Sequence, residues 1–186
     1  VGDSVRRGWK RMGSRLKALA MALPSAQVIT KKISVPAGLR EDELEIQVES
    51  EANQYIPFAL EEVNLDFQIL GPAPNSAEDV EVLIAASRKE KVEDRVAVAE
   101  FAGLKAIVMD IDAFAAQTAF ELMETQLPDG GREQVIALVD VGASMMNINV
   151  LRNNQSVYMR EQPFGGNQLT AEIQRHYNLS IEEAEA

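Results

Sequence analysis

Cysteine is missing from this chain of 186 residues, and histidine occurs once, at His176. The first absence excludes disulfides and thiolate metal sites. The second removes histidine-rich metal centres, so zinc-enzyme chemistry has no ligands to work with. Aromatic residues make up only 5% of the chain, so aliphatic side chains have to fill the core. Long hydrophobic runs are lacking too. No segment approaches the roughly 18 apolar residues that a transmembrane helix needs. Positive charge is scarce overall, with 18 Lys and Arg against 29 Asp and Glu. So acidic a surface repels duplex phosphates, and no nucleic-acid partner is expected. The remaining composition, 46% hydrophobic and 25% charged, is that of an ordinary globular protein. A soluble, cytoplasmic chain is the expectation.

The charges are unevenly placed. Before residue 20 stand Arg6, Arg7, Lys10, Arg11, Arg15 and Lys17 against Asp3 alone, while acid gathers in residues 40–62, 78–100 and 182–185. Val5, Trp9, Met12 and Leu16 recur at i, i+4, i+7 and i+11, the spacing of a basic amphipathic helix with Trp9 as a packing anchor. A signal peptide fits less well, because Lys17 interrupts a short apolar run. The basic face reads as solvated, with membrane contact as the alternative.

Coarse elements follow from periodicity. In residues 16–23, Leu19, Met21 and Leu23 alternate with Ala18, Ala20 and Ala22, which predicts a strand buried on both faces. Residues 28–35 read as a second strand. Leu44, Val48, Ala52 and Tyr55 mark one helical face, which Pro57 should end. The segment Gln54-Tyr55-Ile56-Pro57-Phe58 reads either as an exposed partner-binding knob or as a helix end packed on its own strand. Val63, Leu65, Phe67 and Ile69 alternate in a half-exposed strand, residues 71–75 form a loop, and 80–86 another strand. Ser87 and Glu90 have capping-box spacing for a helix that turns Val92, Val96 and Ala99 inward and stops at Gly103. Residues 26–104 thus read β-α-β-β-α. A short strand at 106–109 precedes a helix capped by Asp112 that packs Phe120, Met123 and Leu127. Pro128-Asp129-Gly130-Gly131 is the clearest linker signal.

The chemistry-bearing stretch comes next. Residues 135–139 are continuously apolar, as in a central strand covered on both faces. That strand delivers Asp140 to its end, ahead of Val141-Gly142-Ala143-Ser144. Met146, Ile148 and Val150 then alternate with Asn147 and Asn149, Asn153-Asn154 suits a tight reversal, and residues 156–160 form a third strand. Phe164-Gly165-Gly166 opens a helix carrying Leu169, Ile173 and Tyr177. Small residues at 142–144 let backbone N–H groups approach an anion. Asp140 suits a hydrated Mg²⁺, which takes one or two protein carboxylates. Gly165 and Gly166 stand at a helix start, where free N–H groups favour phosphate or ribose oxygens. His176 and the acidic run Glu182–Glu185 read as ordinary helix-end features.

Together, Asp140-Val141-Gly142-Ala143 and Phe164-Gly165-Gly166-Asn167-Gln168-Leu169-Thr170, ending at Glu182-Glu183-Ala184-Glu185, resemble the PilM family of actin-like type IV pilus assembly proteins. The likeness to the division protein FtsA is more distant. Val28-Ile29-Thr30-Lys31, Gln54-Tyr55-Ile56-Pro57-Phe58, Glu61-Glu62-Val63 and Ser87-Arg88-Lys89-Glu90 carry the resemblance across nearly the whole chain. It implies an α/β, actin-like partial fold. Residues 1–23 and 105–133 would form the core of a first lobe, 24–104 an inserted α+β subdomain of the FtsA/PilM type, and 134–186 the start of a second lobe. It also implies ATP and Mg²⁺ as cofactors, with Asp140, Gly142, Ala143 and Ser144 in a phosphate-binding hairpin. Asp140 would sit at the metal, Gly165 and Gly166 would line the nucleotide pocket, and Glu185 would lie near the nucleoside. The implied partner is the cytoplasmic tail of a PilN-like inner-membrane protein, alongside other pilus platform proteins, with self-association left open. Such a chain is cytoplasmic and held at the inner membrane through its partners.

Departures from the family pattern bear on function. An opening Asp-Ile-Gly-like phosphate loop, a second adenosine loop and a lysine beyond Glu185 are absent, so the sequence is expected to be a piece of a longer chain with half of a nucleotide site. Met145-Met146 stand where threonines are usual. Three classes follow: an ATP-binding scaffold with no catalytic residue assigned, a nucleotide-independent interaction module of the same fold, and a sugar- or acetate-kinase relative. The last needs a carboxylate base facing an acceptor, and no segment offers one.

Overall fold

The computed structural model describes residues 1–131 and 133–186. They form two compact units, Val1–Ile111 and Asp112–Ala186.

The first unit begins with α1 (Gly2–Met12), which Gly13 ends in the left-handed conformation at φ 69°. Leu16 therefore falls outside the helix and is exposed, against the sequence expectation. Trp9 does anchor the turn: its indole N–H donates to the Leu16 carbonyl at 3.1 Å. Strand β1 (Ala18–Leu23) pairs in parallel with β5 (Lys105–Ile111), Leu23 facing Ile111, and both of those residues are buried. The Leu19–Met21–Leu23 side of β1 is the better covered one; on the other side Ala18 and Ala20 are exposed and Ala22 is half-buried. The expectation of a strand covered on both faces fails because, among the described residues, β1 has one strand neighbour and α3 (Lys89–Phe101) packs on it.

Strands β2 (Ile29–Pro36), β4 (Asp79–Arg88) and β3 (Val63–Pro72) form an antiparallel sheet in that spatial order. Period-2 side chains explain its core. Ile33 and Val35 of β2 meet Val82, Ile84 and Ala86 of β4, and α2 (Glu41–Ala52) lays Leu44, Val48 and Ala52 over them. The β-α-β-β-α order is as the sequence indicated. Helix α2 stops at Ala52, five residues before Pro57. There the N–H groups of Tyr55 and Ile56 both turn back to the Ala52 carbonyl, at 2.9 and 3.0 Å. That turn buries Ile56 and leaves Tyr55 and Phe58 at the surface, beneath Lys31 and Arg88 respectively.

The proposed Ser87 cap is also corrected. Ser87 lies in β4, and its hydroxyl donates to the Gln27 carbonyl at 2.9 Å, so it is unavailable to α3. Helix α3 starts at Lys89 after Arg88 without a side-chain cap. Its other end follows expectation. Gly103, at φ 75°, lets the Leu104 N–H reach the Ala99 carbonyl at 2.9 Å.

In the second unit, α4 (Asp112–Glu124) leads to an antiparallel meander of β6 (Val135–Val141), β7 (Met146–Arg152) and β8 (Gln155–Gln162), followed by α5 (Gly166–Tyr177) and α6 (Ile181–Ala184). Asn153 and Asn154 both take positive φ, 50° and 55°, in the two-residue turn between β7 and β8. Phe120 of α4 is buried, but Met123 is 53% exposed, so the helix packs through a shorter face than the spacing suggests. The continuous apolar run of β6 does not make it a central strand. Among the described residues it is an edge strand, with Val135, Val139 and Val141 exposed, and β7 is the centre. Nor is the Met146–Ile148–Val150 side of β7 the more buried one. Asn149 and Leu151 are, because α4 packs there, with the Ala113 carbonyl accepting the Asn149 amide at 3.2 Å.

Candidate phosphate hairpin

The β6–β7 connection and the start of α5 build one local structure. Asp140 stands opposite Asn147 one residue before β6 ends, and Asn147 in turn stands opposite Glu161 of β8. The three side chains thus share one row on one face of the sheet. Asp140 is exposed, while one carboxylate oxygen of Glu161 is buried without a hydrogen-bond partner.

The turn after Asp140 is closed by the Gly142 N–H, which donates to the Met145 carbonyl at 2.9 Å. Its carbonyls face the first turn of α5. Gly166 N–H donates to the Gly142 carbonyl at 3.0 Å, and Asn167 N–H to the Ala143 carbonyl at 2.8 Å. Two of the orphan donors that every helix start carries are therefore satisfied by the hairpin. The sequence reading assigned free N–H groups to the Gly165-Gly166 start; here the Gly166 N–H is already engaged. Gly165 instead provides clearance, since a β-carbon there would lie 2.5 Å from the Gly142 carbonyl oxygen. Donors that remain open lie in the turn itself. Ala143 and Ser144 are exposed, and among the described residues no protein acceptor meets their N–H groups.

Asn167 is a participant that sequence reasoning missed. Its side-chain amide donates to the Ser144 hydroxyl at 3.1 Å while its backbone holds Ala143. The available signal was its place in the first turn directly after two glycines, where Asn side chains favour local hydrogen bonds. Glu185 lies just past α6, its N–H bonded to the Ile181 carbonyl, and no hydrogen bond or ion pair ties its side chain to the hairpin among the described residues. The structure thus brings together Asp140, Gly142, Ala143, Ser144, Gly165 and Gly166, and leaves Glu185 apart from their hydrogen-bonded framework.

Chemically the turn offers a carboxylate, two exposed N–H donors and a hydroxyl within a few residues. That set suits an anion accompanied by a hydrated cation. Among the described residues no three His, Cys, Asp or Glu side chains converge, so a cation here would depend on Asp140 together with water and ligand oxygens. Also among the described residues, no helix is long and apolar enough to cross a membrane.

The whole chain, residues 1–186, matches the family model described as type IV pilus assembly protein PilM. Among solved structures, the PilM-PilN type IV pilus biogenesis complex contains a chain 30% identical to this one, with a TM-score of 0.76 over 99% of the present chain. This chain spans only 54% of that relative's length. The cytoplasmic domain of EpsL, an inner-membrane component of the type II secretion system of Vibrio cholerae, matches at a TM-score of 0.52 and 11% identity, over 96% of this chain and 63% of its own. That likeness is one of fold alone. The mixed α/β arrangement is accordingly a partial actin-like fold, and the chain belongs to the PilM family of type IV pilus assembly proteins.

Proposed function

We propose that this chain forms part of an actin-like, ATP-binding scaffold that recruits the cytoplasmic tail of a PilN-like membrane protein to the pilus assembly platform. The observation carrying this reading is the likeness to PilM of the PilM-PilN complex, 30% identical over 99% of the chain. In this reading residues 1–23 and 105–133 belong to the first lobe, 24–104 to its inserted subdomain, and 134–186 open the second. Asp140 would hold a hydrated Mg²⁺, and the N–H groups of Ala143 and Ser144 would meet phosphate oxygens. When bound, Mg²⁺ neutralises the phosphate charge. Gly165, Gly166 and Asn167 keep the hairpin in place for that contact, and Glu185 approaches the nucleoside. The scaffold is cytoplasmic and peripheral at the inner membrane through its partner.

Binding free energy then goes into an extended peptide rather than an acceptor pocket. Tyr55 and Phe58, exposed and stacked under Lys31 and Arg88, offer apolar and cationic contacts on the inserted sheet. Affinity in the micromolar range, about −8 kcal/mol, is expected for such a segment. The acidic stretch from Glu41 to Glu62 favours a tail with a basic residue and weakens its binding as salt rises. The test titrates a labelled PilN-like tail peptide into the protein carrying this chain at low and high salt, beside phosphoryl-transfer assays on sugars and acetate. Saturable, salt-weakened binding without transfer supports the scaffold. Transfer to a small acceptor with no peptide binding overturns it.

A further inference from the structure

Two helices of the first unit present opposite charge on their outer faces. Helix α1 turns Val5 and Trp9 inward, and Arg7, Lys10 and Arg11, at i, i+3 and i+4, lie exposed on the other side. Asp3 is taken up by Arg6, so among the described residues these three cations have no carboxylate partner. Helix α2 buries Leu44, Val48 and Ala52, which leaves Asp42, Glu45, Ile46 and Glu49 outward at i, i+3, i+4 and i+7. Arg40 pairs with Asp42, but Glu45 and Glu49 have no ion-pair partner among the described residues. Ile46 stands 69% exposed amid these acids. No ion pair joins α1 to α2 among the described residues.

From this we infer that the basic face of α1 in one copy docks on the acidic face of α2 in another, a head-to-tail contact between copies of this chain. Like charges at i,i+4 spacing along one helix repel, and an opposite stripe relieves both helices at once. Ile46 then packs on the aliphatic stems of Arg7 and Lys10. A second copy suits α1 better than an anionic membrane for two reasons. The helix cannot insert, because Val5 and Trp9 are half-buried against its own unit and the Trp9 indole is bonded to Leu16. Its parent surface is also acidic, with 29 acids against 18 bases, and repels anionic headgroups. The contact joins two different patches, so each pairing leaves one patch free on either copy. Repetition gives a ring or an open filament. Exposed ion pairs are individually weak and screened by salt, so association should appear at low salt and high protein concentration.

The test is sedimentation of the protein carrying this chain at low salt and at about 0.5 M salt, where screening reaches only a few ångströms. Two charge-reversed variants are compared with wild type, R7E/K10E/R11E and E45K/E49K, with circular dichroism and melting curves showing that both remain folded. Each should associate at least about tenfold more weakly than wild type, through loss and reversal of several pairs. Mixing the two should restore association beyond one-to-one complexes, because the unchanged faces still pair and the reversed α1 of one variant meets the reversed α2 of the other. Combining all five substitutions in one chain should restore self-association. Undiminished association in either variant, a wild type that stays monomeric at low salt, or a wild type that binds anionic vesicles without self-associating would each overturn the inference.

Discussion

Gly165 and Gly142 meet at backbone distance: a β-carbon on the first would lie 2.5 Å from the carbonyl oxygen of the second, and 2.6 Å from that of Ala143. The atoms in the way are main chain, so no rotamer change can relieve the clash. Gly165→Ala should therefore displace the turn from α5 and cost about 1–3 kcal/mol, the range for overpacking a fixed site. Gly166 is different. A β-carbon there meets nothing closer than 4.0 Å, and Gly166→Ala should fold as well as wild type. Urea unfolding of the two variants checks the contrast; equal midpoints would remove the argument for a fixed hairpin.

Asn149 is 4% exposed, and it joins β7 to α4 and β8 at once. Its amide donates to the Ala113 carbonyl at 3.2 Å, and its side-chain oxygen accepts from the Ser156 hydroxyl at 2.6 Å. Asn149→Ala leaves a buried carbonyl and a hydroxyl without this partner, at a cost of about 1–3 kcal/mol. Asn149→Ala/Ser156→Ala should cost less than the sum of the single changes, since the second removes one stranded group. Denaturation of the double-mutant cycle reads this directly.

Much of the fold was legible in the sequence, and the failures have physical causes. Alternation found β3 because the β2–β4–β3 sheet has one covered face, the condition under which period-2 patterns are clean. The same logic misread residues 135–139, where five apolar residues suggested cover on both faces of an edge strand. It misread Asn149 too, whose polarity pointed to solvent while two hydrogen bonds made burial tolerable. Ser87 had the spacing of a cap, but spacing cannot reveal that Gln27, sixty residues earlier, claims its hydroxyl. In the candidate site, the small residues and the paired glycines were visible as a motif. What they do was not. That the hairpin carbonyls occupy the α5 start depends on a close approach that only coordinates display.

Glu183 gives the second unit a local response to acid. Its carboxylate accepts first from the Ser180 backbone N–H and also from the Ser180 hydroxyl, both at 2.8 Å, and these bonds hold it below the usual carboxylate range. A group whose folded pKa is depressed contributes stability above its unfolded value and loses it as pH falls through the folded value. Helix α6 should therefore fray in acid before neighbouring elements do. Ser180→Ala should raise the Glu183 pKa and speed amide exchange in α6 at neutral pH. Side-chain NMR titration of Glu183 in both proteins checks it, and an unchanged pKa in the variant would contradict the capping argument.

Asp140 separates the nucleotide-dependent scaffold from a nucleotide-independent module of the same fold. Its carboxylate is exposed at the end of β6, beside turn donors at Ala143 and Ser144 that no protein acceptor meets among the described residues. If a hydrated Mg²⁺ rests there, Asp140→Ala removes one of the few protein anchors such an ion uses. In the protein carrying this chain, magnesium–ATP should then bind about tenfold more weakly, a loss of about 1.4 kcal/mol. The metal-free measurement carries the sign test. Without Mg²⁺ the Asp140 charge repels the phosphates, so the variant should bind bare ATP as well as wild type or better. A purely structural role for Asp140 would instead weaken both forms alike. Calorimetry with and without a chelator distinguishes these outcomes. Equal magnesium–ATP affinity in the two proteins would assign the hairpin to the nucleotide-independent module, with Met145 and Met146 in place of hydroxyl side chains as the sequence feature that fits it.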